Sequence, residues 1–272
     1  MRDFSVTPRE MVASLWRNRE LIQTFAWREV LGRYRGSILG LLWSFFNPVF
    51  MLIVYTFVFS EILKARWTGV SESKIEFALV LFIGLIVYNL FAECITRAPM
   101  LILSNPNYVK KVIFPLEILP FVGLYSSIYH ALIGLAVWFV AYFTLCGVPH
   151  VTSLLIPVVV LPFGLIILGF SWFLASLGVY VRDVSQMIGM LTTVLMFLSP
   201  IFYPLNILPE GYRNFLYINP LTAEIEMVRD IIYWGVFPDA DVLILYWAAS
   251  VVVSWLGFLW FQKTRKGFAD VL

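Results

Sequence analysis

Few side chains in this sequence could do chemistry at membrane depth. Glu93 and His130 are the ionisable groups that fall within its long apolar stretches, and in lipid such groups are expensive and commonly functional. Glu93 precedes Arg97 by four residues, the spacing and sign order of a favourable helix pair, so it reads first as a structural ion pair at a helix end. His130 follows Tyr129 in a stretch that also holds Ser126 and Ser127, a setting that suits an interhelical hydrogen bond better than a proton relay. Ion-coupled transport calls for more intramembrane charge than this. A membrane-embedded hydrolase or transferase needs paired carboxylates, or a nucleophile with a base in reach. The phosphate-cradling loop G-x-x-x-x-G-K-[ST] does not occur in the 272 residues, so any ATP must be bound by another subunit. Cys94 and Cys146 are too few for a zinc cluster or a disulfide framework. They are placed near opposite membrane faces, whereas a disulfide needs Cα atoms within about 7 Å, and two free thiols are expected.

The elements that hold these residues follow from composition. Hydrophobic residues make up 61% and charged residues 13% of the chain, against roughly 45–50% and about 25% in soluble domains, so lipid must be the main solvent. Six stretches are apolar and near the length a bilayer requires: 37–60, 77–95, 121–146, 154–179, 187–203 and 242–261, the fifth being the shortest. The expected fold is an all-α polytopic membrane protein, a single transmembrane domain over 1–272 with six transmembrane helices. An amphipathic helix precedes them in 1–36, a short helix sits in 98–116, and re-entrant helices occupy the outer segment 204–241. The first twenty residues are polar, with no apolar core for a cleavable signal peptide. Six spans put both termini on one side. Arg2, Arg9, Arg17, Arg19, Arg28, Arg33, Arg35, Arg97, Lys110, Lys111, Arg182, Lys263, Arg265 and Lys266 share that side, while Lys64, Arg66, Lys74, Arg213 and Arg229 fall opposite. The imbalance predicts cytoplasmic termini. The net charge of +2 is thus a topological signal, with no nucleic-acid partner implied.

At the junction with the first span, Arg17, Thr24, Arg28 and Arg35 fall on one helical stripe, and Glu29 and Arg33 pair at i, i+4 on another side. Polar groups on two faces suit a helix that rests on headgroups with one face and on a protein with the other; a basic surface helix without a partner is the plainer alternative. Asn105-Pro106 breaks the helix that follows the second span, Asn107 caps a stub of about two turns, and Pro115 ends it. Such a stub suits a groove on a partner, and an ordinary connection is the alternative. On the outer side, Pro200 and Pro204 should unwind the fifth span around Phe202-Tyr203. Asn219 and Pro220 then start a helix to about Trp234 with Leu221, Ile225, Val228 and Ile232 on one face. Trp16, Trp27, Trp67, Trp234 and Trp260 read as interfacial belt residues. Trp43, Phe46, Asn47 and Phe50 share a face of the first span, which fits helix packing as well as a pore wall for sugars.

The run Trp27-Arg28-Glu29-Val30-Leu31-Gly32-Arg33-Tyr34-Arg35-Gly36-Ser37-Ile38-Leu39-Gly40-Leu41-Leu42-Trp43, with Pro48 after it, resembles the N-terminal signature of ABC-2 type polysaccharide exporters, the membrane subunits that export O-antigen, capsule or teichoic acid chains. Val112-Ile113-Phe114-Pro115-Leu116-Glu117, Tyr180-Val181-Arg182-Asp183-Val184, Ser199-Pro200-Ile201-Phe202-Tyr203, Asn219-Pro220-Leu221 and Gly267-Phe268-Ala269-Asp270 look like further landmarks in the same order. The resemblance implies a homodimer of this subunit paired with two copies of an ABC ATPase, which holds ATP and Mg, in a bacterial cytoplasmic (inner) membrane. By match of motif, Arg28, Glu29, Arg33 and Tyr34 belong to an interface helix, and Tyr108, Lys110, Lys111, Phe114 and Pro115 to a coupling helix, both against the ATPase. The first and fifth spans would line the channel through Trp43, Phe46, Asn47, Phe50, Phe197, Phe202 and Tyr203, and 204–241 would form an outer gate. The implied substrate is O-antigen or a similar polysaccharide on a lipid pyrophosphate such as undecaprenyl diphosphate. Arg33 and Arg35 could contact that pyrophosphate, although topology alone also places them there. An exporter of drugs or small lipids, and an ATP-independent transferase or scramblase, stay open as alternatives.

Overall fold

Helices make up most of the described chain, as lipid demands of a spanning backbone. The computed structural model describes residues 5–62, 74–110 and 114–272, so Arg2, Lys64, Arg66, Trp67 and Lys111, each given a place above, lie outside the described residues. Among the described residues there is no strand.

The first helix, α1 (Pro8–Arg17), is an addition to the sequence reading. Thr7 caps it, its Oγ1 accepting from the Glu10 N–H at 3.2 Å, with Pro8 at the first helical position. The Thr7-Pro8-Arg9-Glu10 run carried that signal. Asn18 closes α1, its Nδ2 donating to the Ser14 carbonyl at 2.8 Å, and α2 (Arg19–Arg33) starts anew. The expected stripe from Arg17 to Arg35 is therefore not one helical face, since Arg17 lies on α1 and Arg35 beyond the end of α2.

Among the described residues, five helices are long and apolar enough to cross a membrane. They are α3 (Leu42–Tyr55), which widens into a π-helical turn at Thr56–Ile62, α4 (Lys74–Arg97), α6 (Leu119–Leu145), α7 (Ile156–Tyr180) and α11 (Ala240–Thr264). The first span starts at Leu42 rather than Ser37 because Gly36 and Gly40 adopt positive φ, 85° and 51°, and turn the chain there. The predicted fifth span becomes α8 (Val184–Leu198), 15 residues long. At 1.5 Å per residue that is about 22 Å, short of the ~30 Å hydrocarbon core. Shorter helices complete the chain: α5 (Pro106–Lys110) between α4 and α6, α9 (Glu210–Leu216) and α10 (Pro220–Arg229) after α8, and α12 (Phe268–Val271) at the end.

Burial separates a frame from loosely held spans. In α4, 72% of the apolar window is buried, against 6% in α3. The most extensive helix contact is between α7 and α11. It depends on Gly169 and Gly257: a Cβ on Gly257 would collide with the Gly169 carbonyl, so glycine lets the two backbones touch. The indoles of Trp138 and Trp172, both fully buried, donate to the carbonyls of Leu79 at 2.9 Å and Glu117 at 2.8 Å. Trp255 Nε1 donates to the Val6 carbonyl at 3.0 Å, which puts the start of the described chain beside α11. Cys94 is buried, Cys146 is exposed and both are free thiols, as expected.

Gly257→Val should lower the thermal unfolding midpoint of the detergent-solubilised protein, reflecting a loss of about 1–3 kcal/mol from overpacking. Gly164→Ala, whose added Cβ would meet only Leu124 Cδ2 at an ordinary 3.8 Å, should leave that midpoint unchanged.

Candidate functional site

Four charged side chains bind the amphipathic helix to the most buried span. Ile22 and Ala26 seat one face of α2 on Ile118 and Val122 at the start of the third span, and Val30 is buried one turn further on. That seating turns Glu29 and Arg33 toward α4, where Glu29 pairs with Arg97 and Arg33 with Glu93. Arg97 Nη1 also lies 3.5 Å from Glu93 Oε1, the expected i, i+4 contact. The expected pairing of Glu29 with Arg33 within α2 is replaced by these cross-helix pairs. An exposed i, i+4 pair is worth only a few tenths of a kcal/mol. Pairing across the helices instead neutralises Glu93 and Arg97 where they leave water. Burial alone would lower the Arg33 pKa, but the hydrogen bond and charge of Glu93 outweigh it and hold the pKa above the ordinary arginine value. Tyr34 OH stands 3.4 Å from His130 Nδ1, an interhelical contact of the kind read for His130. Arg28 and Arg35 point outward and are exposed.

Beside this ladder lies a cavity of about 560 Å³ between α3, α4 and α6, within the ~300–1,000 Å³ typical of small-molecule sites. Arg33, Tyr34, Ser44, Asn47, Asn89, Glu93 and Thr96 make much of its wall polar, and Phe82, Leu85, Ile86 and Tyr55 make the rest apolar. Asn89 is uncharged, so its residue type alone does not mark it as a site residue within a span. The signal was an amide in mid-stretch.

The connecting segment after α4 is packed inward. α5 starts at Pro106, with the Asn105 carbonyl accepting from the Tyr108 N–H at 3.0 Å, so Asn107 is not its cap. Tyr108 and Phe114 stack at 4.3 Å between ring centroids, and Phe25 of α2 meets them edge-on at 5.8 and 5.7 Å. Lys110 is exposed, and Pro115 precedes a short 3₁₀ turn into α6. Glu117 joins this segment to both ends of the chain. It accepts from Ser14 Oγ of α1 at 2.8 Å and from Arg265 Nη1 at 2.6 Å, while Arg265 Nη2 donates to the Phe114 carbonyl at 3.1 Å. Its place just before the third apolar stretch concealed that role.

At the far end α8 stops at Leu198, and the chain through Pro200 is unwound as the prolines required. Arg229, which the sequence places on the side opposite the termini, is buried. Its guanidinium donates to the carbonyls of Pro200 at 2.5 Å, Ile201 at 3.0 Å and Val80 at 3.1 Å, and it pairs with Glu226 at 3.1 Å. Burial pushes its pKa down to about 10, with Glu226 acting the other way, so it stays cationic. Asn219 caps α10 by accepting from the Leu221 N–H at 3.0 Å and donates to Ser199 Oγ at 2.9 Å. Leu221, Ile225, Val228 and Ile232 are all buried, the face that the spacing predicted. Glu224 is fully buried as well, and burial pushes its carboxyl well above the usual range, towards a neutral acid. Trp43, Phe46, Phe50 and Phe197 are exposed on α3 and α8. Phe202 stacks between Phe59 and Phe197 at 6.0 and 5.9 Å, and Tyr203 OH donates to the Phe197 carbonyl at 3.3 Å.

Membrane-length helices, a surface helix ionically tied to one of them and a polar cavity at that junction define a polytopic membrane protein of the transport type. The chain belongs to the ABC-2 type transporter membrane family, whose model matches residues 20–233, and is on that ground a transport subunit. It is 29% identical, over 96% of its length and 98% of the relative's, to the O-antigen export system permease protein RfbA of Myxococcus xanthus. It is 24% identical to the protein of the same name from Klebsiella pneumoniae, over 93% of this chain and 95% of that one. The polysialic acid transport protein KpsM of Escherichia coli is 26% identical over 88% of this chain and 91% of its own.

Arg33→Gln and Glu93→Gln should each lower stability, and the double variant should lose less than the sum by about 0.5–3 kcal/mol in a denaturant double-mutant cycle. Strict additivity would show that the pair is not coupled. Arg229→Met should cost about 3 kcal/mol by leaving buried carbonyls unpaired, with Arg229→Lys recovering only part because an ammonium cannot span all three. Thermal unfolding of the purified variants reads both.

Proposed function

We propose that this chain is the membrane-spanning permease of a polysaccharide exporter, of which O-antigen is the leading substrate, powered by a separate ABC ATPase. The observation that carries the reading is relatedness along nearly the whole chain to O-antigen export permeases. Two copies of the chain would pair with two ATPase subunits that bind ATP and Mg. The exposed aromatic faces of α3 and α8, with Trp43, Phe46, Phe50 and Phe197, support a channel wall between copies. Ser14 of α1 and Arg265 just beyond α11 meet at Glu117, and the basic residues Arg17, Arg19, Lys263 and Lys266 lie close to them in sequence, which favours cytoplasmic termini in a bacterial inner membrane.

In this mechanism the ATPase meets the outward residues of α2 and α5, among which Arg28 and Lys110 are exposed charges. Tyr108, Phe114 and Pro115 act from behind by holding the segment against Phe25, and Glu29, Arg33 and Tyr34 carry the displacement to α4 and α6. ATP binding would thereby shift α3 and α8 against the frame and open an aromatic passage. The chain to be exported would hang from a lipid pyrophosphate such as undecaprenyl diphosphate. Arg35 is exposed and available to that pyrophosphate, whereas Arg33 is engaged by Glu93 and contributes less.

The test is ATPase activity in liposomes holding this chain with its ATPase, with and without lipid-linked glycan. Stimulation by glycan that Lys110→Glu abolishes is expected, because the charge reversal changes an exposed contact without touching the Tyr108–Phe114 stack. No association between the two subunits, with no change in ATPase rate, would overturn the reading.

A further inference from the structure

From Glu76 to Pro99, all of them described residues, Asn89 alone is exposed. Its amide faces the cavity beside the ladder, opposite Asn47 of α3, and neither amide makes a side-chain hydrogen bond to a described residue. An amide at membrane depth without a partner costs several kcal/mol unless it meets water or a ligand. Some buried polar groups nearby are matched within the chain: Tyr88 OH donates to the Thr192 carbonyl at 3.0 Å, and Thr96 Oγ1 to the Ala92 carbonyl at 2.6 Å. Ser127 Oγ and His130 Nε2, on the same wall, have no hydrogen-bond partner among the described residues. The two amides, with that hydroxyl and ring nitrogen, are the groups left to an outside partner.

The charge of the cavity says what that partner is. Arg33 and Glu93 on its wall neutralise one another, as do Arg97 and Glu29 behind it. A cavity balanced in this way gives no net attraction to a diphosphate. It offers amide donors and acceptors next to Tyr34, Tyr55 and Phe82, the pairing of polar points and ring faces that suits a neutral, hydroxyl-rich ring. The spacing fits a ligand that hangs from a headgroup. Asn89, Glu93 and Arg97 follow at i, i+4 and i+8 on one face of α4, so the amide sits about 12 Å along the helix from Arg97.

We infer that Asn89 and Asn47 form a binding site for a neutral sugar ring of the exported lipid, distinct from any contact to its phosphates. This rests on the export reading above and adds to it the part of the substrate that is recognised inside the bundle. Each amide contributes one or two hydrogen bonds to ring hydroxyls, and the ladder holds the wall that presents Asn89.

The complex of this chain with its ATPase, in nanodiscs doped equally with undecaprenyl diphosphate and undecaprenyl diphosphate bearing one N-acetylglucosamine, would be released and the bound lipids weighed by native mass spectrometry. The expected result is a preference for the sugar-bearing lipid of about tenfold, the worth of one to two net hydrogen bonds. That ratio should fall to near unity in both Asn89→Leu and Asn47→Leu and be partly kept by Asn89→Gln. Two positions guard against a variant that fails to fold. Equal binding of the two lipids by the unaltered complex, or a ratio that both substitutions leave intact, would overturn the sugar site while the export reading stands. Binding of neither lipid would overturn both.

Discussion

In lipid a polar group must find its partner inside the protein, and that constraint shapes every distinctive feature of this chain. Water cannot solvate Glu93 and Arg97 as α4 enters the membrane, so α2 supplies Arg33 and Glu29 to them. The same requirement acts at the other end, where Pro200 breaks α8 and frees carbonyls that Arg229 then takes up. Buried indoles bond to carbonyls for the same reason. An amphipathic helix thus becomes fixed to a span, and a short helix becomes a plug on an unwound one, without either being covalently constrained. The amides of Asn47 and Asn89 are informative because, with Ser127 and His130, they leave one cavity wall outside that pattern.

Packing then decides which parts hold and which parts yield. The α7–α11 contact at Gly169 and Gly257 leaves no room to slide, and α4 is enclosed by its neighbours. Glu117 ties α1, the segment after α5 and the end of α11 to this frame through Ser14 and Arg265. By contrast α3 is barely buried, carries Pro48 inside its helix and changes to π-helical winding at Thr56. Such a span can shift without breaking a core. In the proposed mechanism a force applied at α2 or α5 would reach α4 through the ladder and α11 through Glu117, and α3 would move relative to both.

Much of this was legible in the residues. Apolar length gave the fold class and five of the spans to within a few residues, because burial in lipid writes itself into long uniform runs. The start of α10 was legible because Asn219 and Pro220 are local signals, and the unwinding after Leu198 because proline acts on its own backbone. Partnerships across the bundle were less so. Glu29 and Arg33 look like an i, i+4 pair in one dimension, and only the seating of Ile22 and Ala26 on Ile118 and Val122 shows that both face α4. Arg229 looks like a surface cation until Pro200 and Val80 are brought to it. Asn89 escaped notice since an uncharged amide stands out only once its surroundings are known to be dry.

The central claim is that this chain conducts polysaccharide across the membrane when a separate ATPase hydrolyses ATP. Proteoliposomes holding both subunits, loaded with lipid-linked glycan and probed from outside with a membrane-impermeant glycan hydrolase, test it most directly. Glycan should become digestible only when ATP reaches the ATPase, and it should stay protected with a non-hydrolysable analogue or without this chain. Digestion that proceeds equally without ATP would contradict the account and make the protein an ATP-independent lipid flipping device.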